Sequence, residues 1–197
     1  MFALDEKVIN KIQKLQNSKI INKGRTSLIL EHENENFLKC LTRDKMKYKW
    51  YNTINFGHLQ NIYTIEDKKD KFFEYPIYEI DVPKLSPLSF ETRRLLRHFL
   101  MYVKKIRKSA YSHSSRIDEQ NIYIVESLSR INSIFQPNIE LLHSYTQKYA
   151  KEFILDLNMY NVMQMKEQIV YIDPVFSFDL LRIFLPDTYQ IWKTYME

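Results

Sequence analysis

Two aspartates and one asparagine stand at spacings that suit proton transfer beside a divalent cation. Asp156 is followed by Asn161, and Asp173 comes after a further short segment, within Ile172-Asp-Pro-Val-Phe-Ser177. A carboxylate can accept the proton of an attacking hydroxyl, and a carboxylate with a carboxamide oxygen offers the hard oxygen ligands that Mg²⁺ takes. Phosphoryl transfer needs that set, with Asp156 as base and Asn161 and Asp173 as metal ligands. Val162-Met-Gln-Met165 and Ile169-Val-Tyr-Ile172 read as two short strands around the turn Lys166–Gln168. That hairpin is what would bring the three side chains together. Asp-x-x-x-x-Asn alone is common in polar loops; the second aspartate beyond a hairpin is what makes it informative.

The amino-terminal third offers a complementary phosphate site. Asn22-Lys-Gly-Arg-Thr-Ser-Leu-Ile29 fits a loop that covers nucleotide phosphates, with Asn22 in place of a first glycine and Gly24 as the second. Ser27 follows, and Ile29 is the apolar lid over the base. Asn tolerates the left-handed backbone that a glycine would supply. Gly24 is one of only two glycines, so a backbone constraint is expected there; the other, Gly57, reads as the end of a helix. Ile20-Ile21 and Leu28-Ile-Leu30 become strands, the polar run Glu31–Asn36 turns the chain, and Phe37–Leu41 forms a third strand with Lys39 at its centre. Lys39 is expected to reach the phosphates. Adenine is expected to meet the chain near Tyr78 to Val82, with Tyr78 and Ile80 in the nucleotide site.

With these residues in place, the sequence resembles the small seryl/threonyl protein kinases that lytic bacteriophages make early in infection, within the wider protein-kinase fold. The resemblance is carried by Asn161-Val-Met and by Ile172–Ser177, where Asp-Pro-Val stands in place of Asp-Phe-Gly. It implies an α+β, minimal protein-kinase-like fold of two lobes, an amino-terminal antiparallel sheet and a short helical carboxy-terminal lobe. It also implies ATP and Mg²⁺ as cofactors and transfer of the γ-phosphate to Ser or Thr of host proteins, parts of the transcription or RNA-processing machinery among them. The location implied is the cytoplasm of the host.

Departures from the pattern bear on catalysis. Phe37 occupies the place of a small residue against adenine, where it either narrows the base pocket or tilts away. The helical stretch Asp44–Gly57 contains no glutamate to pair with Lys39, so Asp173 or a residue of a remodelled helix would have to hold the lysine. Ile154-Leu155 replace the usual His-Arg before the catalytic aspartate, which removes the arginine link to a phosphorylated activation loop. Few residues follow Asp173, so a platform for peptide substrates is expected to lie elsewhere or to come from a partner. These departures keep open a second function, a kinase-shaped binding module that grips a host protein without catalysis. A third, a small-molecule phosphotransferase, has little room for its acceptor.

The elements that must position these residues fall into two expected lobes, 1–81 and 82–197. Residues 1–16 read as a leading helix with Leu4, Val8, Ile12 and Leu15 on one face. Ile62–Ile65 and Phe72–Ile80 read as a hairpin through the charged turn Glu66–Lys71. Asp81-Val-Pro-Lys-Leu-Ser-Pro87 reads as the lobe boundary. Three helices follow, at 90–106, 118–135 and 139–149, with Ser112–Ser115 as a serine-rich connector.

Composition narrows the classes. At 45% hydrophobic and 27% charged, the 197-residue chain has the make-up of a soluble globular protein. Its single cysteine, Cys40, excludes an internal disulfide and suits a reducing cytoplasm. No apolar run approaches a membrane span and the start lacks a signal-peptide pattern, so no membrane association is expected. The five histidines show no metal-ligand spacing. A net charge of +5 raises nucleic acid as a lesser partner class, through Lys45–Trp50, Arg93-Arg94 with Arg97, and Lys104–Lys108.

Overall fold

Short runs of apolar and β-branched residues broken by polar turns build the first half of the chain, and long amphipathic helices build the second. The computed structural model describes residues 4, 6–32, 35–67, 69–166, 168–184 and 186. The fold is α+β, with two compact units, Met1–Lys84 and Leu85–Glu197.

In the first unit, β1 (Lys19–Lys23), β2 (Ser27–Glu31), β3 (Phe37–Thr42), β4 (His58–Tyr63) and β5 (Ile77–Pro83) form an antiparallel sheet in the order β1-β2-β3-β5-β4. Side chains alternate along a strand, and directly opposed residues share a face. The register sets Ser27 opposite Thr42 and Thr42 opposite Tyr78, and likewise Ile29 opposite Cys40 and Cys40 opposite Ile80. The alternate set, Leu28 with Leu41 and Leu30 with Lys39, lies on the other face.

Each face has its own cover. Helix α2 (Lys45–Thr53) lies over the Ser27 face, capped by the Asp44 side chain, which accepts from the Met46 and Lys47 amides. Its Met46, Trp50 and Tyr51 are buried, and Tyr48 stacks on Tyr78 with ring centroids 5.0 Å apart. The opposite face packs Leu28, Leu30, Leu41 and Ile77 against Leu4, Ile9, Ile12 and Leu15. The single leading helix expected there is broken: α1 covers only Glu6–Ile9, and a 3-10 turn spans Gln13–Leu15. Val8, Ile9 and Asn10 are weak helix formers, and the amides of Lys11, Ile12 and Leu15 bond three residues back instead of four. Residues 1–3 and 5 of that expected helix lie outside the described residues.

The expected strand from Phe72 does not form until Ile77. Buried Arg43 donates to the carbonyls of Phe72 and Tyr75 and pairs with Asp70, holding 70–75 as turns. The strand also runs further than expected, since Asp81–Pro83 continue to pair with β3.

The second unit stacks α3 (Phe90–His113) on α4 (Ile117–Ser129) and α4 on α5 (Gln136–Tyr149). Leu96, Phe99 and Val103 of α3, Ile124 and Leu128 of α4, and Leu142 of α5 are buried in it. Helix α3 absorbs Ser112 and His113, which were expected in a connector, and Ser114 caps its end. Helix α4 stops at Ser129, short of the expected 135, because turns carry the chain to Phe135, which precedes Pro137 in the first turn of α5. Two ladders follow: β6 (Phe153–Leu155) with β9 (Val175–Ser177), and the hairpin β7 (Val162–Met165) with β8 (Gln168–Tyr171). The last helix among the described residues is α6 (Phe178–Phe184). No helix among the described residues is long and apolar enough to cross a membrane.

Candidate functional site

The second unit brings Asp156, Asn161 and Asp173 together. The β6–β9 ladder pairs Leu155 with Val175, and the next step is the Asp156 amide donating to the Pro174 carbonyl at 2.7 Å. That places Asp156 beside the segment holding Asp173. Between them the chain makes a tight excursion. Asn158 caps a 3-10 turn, Met159–Asn161, by accepting from the Tyr160 amide at 2.8 Å, and its Nδ2 donates to Asp156 Oδ1 at 2.9 Å.

Asn161 closes the site. Its Nδ2 donates to the Asp156 carbonyl at 2.8 Å, the Asp173 carbonyl at 2.6 Å and Asp156 Oδ2 at 3.2 Å. Its carbonyl accepts from the Ile172 amide at 2.8 Å. With Nδ2 turned inward to both aspartates, Oδ1 points the other way along the carboxamide and no donor among the described residues engages it. The Asp156 carboxylate is exposed and oriented by two amide side chains, Asn158 and Asn161.

Two buried asparagines, which the sequence reading missed, hold this loop on the helices. Asn121 of α4 donates to the Ala150 and Phe153 carbonyls, each at 2.9 Å. Asn138 of α5 donates to the Ile169 carbonyl at 2.7 Å and accepts from the Tyr171 amide at 3.1 Å. Arg107 of α3 adds a bond to the Leu155 carbonyl at 3.1 Å. Their only signal is polarity at positions where the helical period calls for apolar residues. Leu155, Leu157, Val162 and Val170 are buried around the polar centre.

The first unit holds the remaining predicted residues on its two sheet faces. Ser27, Ile29, Tyr78 and Ile80 share the α2 face, and Asn22 lies opposite Ile29 across the β1–β2 pair. The connection 24–26 is a tight turn in which the Gly24 amide donates to the Ser27 carbonyl at 2.8 Å. Neither Asn22 nor Gly24 adopts positive φ, contrary to the expected left-handed backbone. A Cβ on Gly24 would meet Ser27 Oγ at 3.2 Å, so its constraint is space. The Thr26 carbonyl accepts from the Arg43 amide and Thr42 Oγ1, each at 3.1 Å, which ties the turn to the end of β3. Gly57 lies beyond the helix end it was expected to form; Asn55 takes the left-handed conformation instead, with φ of 50°.

Lys39 lies on the opposite face. Its ammonium pairs with Glu79 at 3.2 Å, Asp81 at 3.3 Å and Glu35 at 3.5 Å, so β5 and the loop before β3 hold it, not the helix. It also stands 5.2 Å from the centre of the Phe37 ring, which places Phe37 on this face too. Burial disfavours the ammonium, but the bonds and charges of Glu79 and Asp81 outweigh it and raise its pKa. Burial works against the Glu79 carboxylate as well, yet bonds from Tyr63, Asn61 and Lys39 hold its pKa below the usual value. Asp81 is pushed up, because burial and the nearby Glu79 and Glu35 charges exceed the help of Lys39.

The buried lysine on the α2 face is Lys47, which was read only as part of a basic cluster. It is buried, and its Nζ donates to Ser27 Oγ at 3.0 Å and stands 5.8 Å from the centre of the Tyr51 ring. Its place three and four residues before Trp50 and Tyr51, on the apolar side of the helix, was the available signal. The cluster Lys45–Trp50 is therefore not an open base-stacking surface, since Met46, Lys47 and Trp50 are all buried. The expected adenine contact at Tyr78–Val82 is also constrained: through Asp81 this backbone is paired on both sides, with β3 and β4.

Among the described residues no three His, Cys, Asp or Glu side chains group as a metal site. The candidate ligand set in the second unit is instead two carboxylates and a carboxamide. Comparison with protein-family models, characterised proteins and solved structures finds no match, so the reading rests on these geometries.

Proposed function

We propose that the chain is a phage-type protein kinase with a minimal protein-kinase-like fold, transferring the ATP γ-phosphate to Ser or Thr of host proteins. The observation that carries this reading is the Asn161 clamp. One carboxamide nitrogen binds the Asp156 carboxylate and the Asp156 and Asp173 backbone carbonyls, so its oxygen is turned away from them. Oxygen donors of this kind fit Mg²⁺. In this reading Asn161 Oδ1 and the Asp173 carboxylate hold the metal, and ATP with Mg²⁺ supplies the phosphoryl group. Asp156, oriented by Asn158 and Asn161, takes the proton of the acceptor hydroxyl. In the first unit Ser27, Ile29, Tyr78 and Ile80 belong to the nucleotide side, and Lys47, which shares their face, is the cation there in place of Lys39.

A second reading is favoured by one observation. Lys39 is held by three carboxylates on the face away from Ser27, and a chain that had given up catalysis would be free to use its strand lysine this way. It would then grip a host protein without phosphorylating it.

The test is incubation with γ-labelled ATP and Mg²⁺, with and without bacterial extract, beside folded Asp156→Asn and Asp173→Ala variants. Label on protein that both variants lose is the expected result. Absence of label, with no change in melting temperature on adding ATP, supports the binding module.

A further inference from the structure

Helix α3 contains seven Lys or Arg residues against Glu91 alone, an excess of six on one helix of a chain whose net charge is +5. Two of the seven are used internally, Arg93 on the Leu88 carbonyl and Arg107 on the Leu155 carbonyl. The other five, Arg94, Arg97, Lys104, Lys105 and Lys108, are exposed, and none has a carboxylate partner among the described residues.

Their placement is regular. Arg94, Arg97, Lys104 and Lys108 share one face with Phe90, Met101 and Tyr111, at alternating steps of four and three residues along the helix. The three apolar members are 79%, 56% and 54% exposed, and with Leu95 and Tyr102 this helix holds five of the large apolar side chains open to solvent. At 1.5 Å per residue the stripe is about 32 Å long. The helix dipole favours cations only in the last turn, so it explains none of the arginines near the amino end.

We propose that this stripe binds a single-stranded nucleic acid. Phosphodiesters would meet the four cations in register along the helix, and bases would stack on Phe90 and Tyr111. A protein helix packed on the same seam would bury four charges at its centre, each demanding its own partner acid. A strand of nucleic acid brings an anion with every nucleotide and leaves the cations in contact with water. This inference stands apart from the proposed phosphotransfer and uses none of its residues.

The experiment is fluorescence anisotropy with labelled 12-nucleotide RNA and DNA strands, a 12-base-pair duplex and polyglutamate, at 50 and 200 mM salt. Single strands are expected to bind best, and four neutralised phosphates should weaken binding about 50-fold between the two salts. Replacing Arg94, Arg97, Lys104 and Lys108 by Gln should abolish binding. Replacing Lys7, Lys19, Lys148 and Lys151, exposed elsewhere, should leave most of it. Phe90→Ala with Tyr111→Ala should weaken binding at least about five-fold without changing the salt dependence. Equal losses in the two Gln variants, equal binding of polyglutamate, preference for the duplex, or no binding would each overturn the proposal.

Discussion

Replacing Asn161 tests the clamp directly, and the direction of its bonds makes the result depend on the replacement. Asn161→Ala removes two short bonds to carbonyls, at 2.6 and 2.8 Å, and a longer one to the Asp156 carboxylate at 3.2 Å. At roughly 1 kcal/mol for each, the loss is about 2–3 kcal/mol. For a chain of this size, that lowers the melting temperature by about 4–12 °C. Asn161→Asp keeps the shape and reverses the chemistry. An acceptor then faces two carbonyl oxygens and the Asp156 carboxylate at the same short distances, so its penalty should exceed that of Ala. A carboxyl so placed is stabilised in its protonated form, so its folded pKa lies above the unfolded value. The Asp variant should therefore recover stability as the pH falls toward 4 and lose it as the pH rises, whereas the Ala variant should show no such recovery. Urea unfolding from pH 4 to 8, followed by circular dichroism and checked by calorimetry, reads both effects. A change below about 0.5 kcal/mol in Asn161→Ala, or equal pH profiles for the two variants, would show that the clamp does not hold the site as described.

Three further outcomes follow from the first unit. Lys39→Met leaves Glu79, Asp81 and Glu35 without their shared cation and should cost about 2–3 kcal/mol in denaturant unfolding, while Lys47→Met should remove the ATP-dependent rise in melting temperature; loss of that rise in Lys39→Met alone would reverse the assignment. Because the folded pKa of Glu79 is depressed, its charge stabilises the fold above the ordinary glutamate pKa, and this is lost as the pH falls through the folded value. Glu79→Gln should therefore cost about 1–3 kcal/mol at pH 7 and progressively less below pH 4.5, whereas Asp81→Asn, at a carboxyl whose pKa is raised, should cost less at neutral pH; a pH-independent gap for Glu79→Gln would contradict this. Gly57→Ala would set a methyl 2.7 Å from Ile80 Cγ2 and 3.0 Å from the Asp81 carbonyl, and should destabilise by about 1–3 kcal/mol, read from the urea midpoint.

Much of the second unit was legible because its signals are local. The β7–β8 hairpin follows from two apolar runs around a polar turn, and the Lys166 backbone, at φ of 55°, makes that turn. The approach of Asp156 to Asp173 follows once β6 and β9 pair. The fastenings were not legible. Asn121 and Asn138 act across the fold, on carbonyls 29 to 32 residues away, and no spacing rule connects a helix asparagine with a strand it meets only after folding. Arg43 is a sharper case. Its turn at 70–75 lies in a stretch whose aromatic residues have high strand propensity, and a buried guanidinium overrides that preference by capturing two carbonyls.

The placement of Lys39 shows where spacing stops being informative. A strand has a period of two, so moving one position exchanges the faces, and Lys39 and Cys40 differ by one. Counting from Ile29 locates a lysine on the third strand but leaves its face undecided. Which face it takes is set by the pairing of Leu30 with Lys39 and of Ile29 with Cys40. That register in turn suits the burial of Leu28, Leu30 and Leu41 under residues 4–15. A shift of one residue would carry those leucines to the α2 face and expose Ser27 and Cys40 to the apolar cluster. Given the leucines, the lysine has to face the same way, and Glu79, Asp81 and Glu35 compensate its charge there. β3 then contributes no cation to the α2 face, and Lys47, one helical turn before Trp50 and Tyr51, is the buried lysine there.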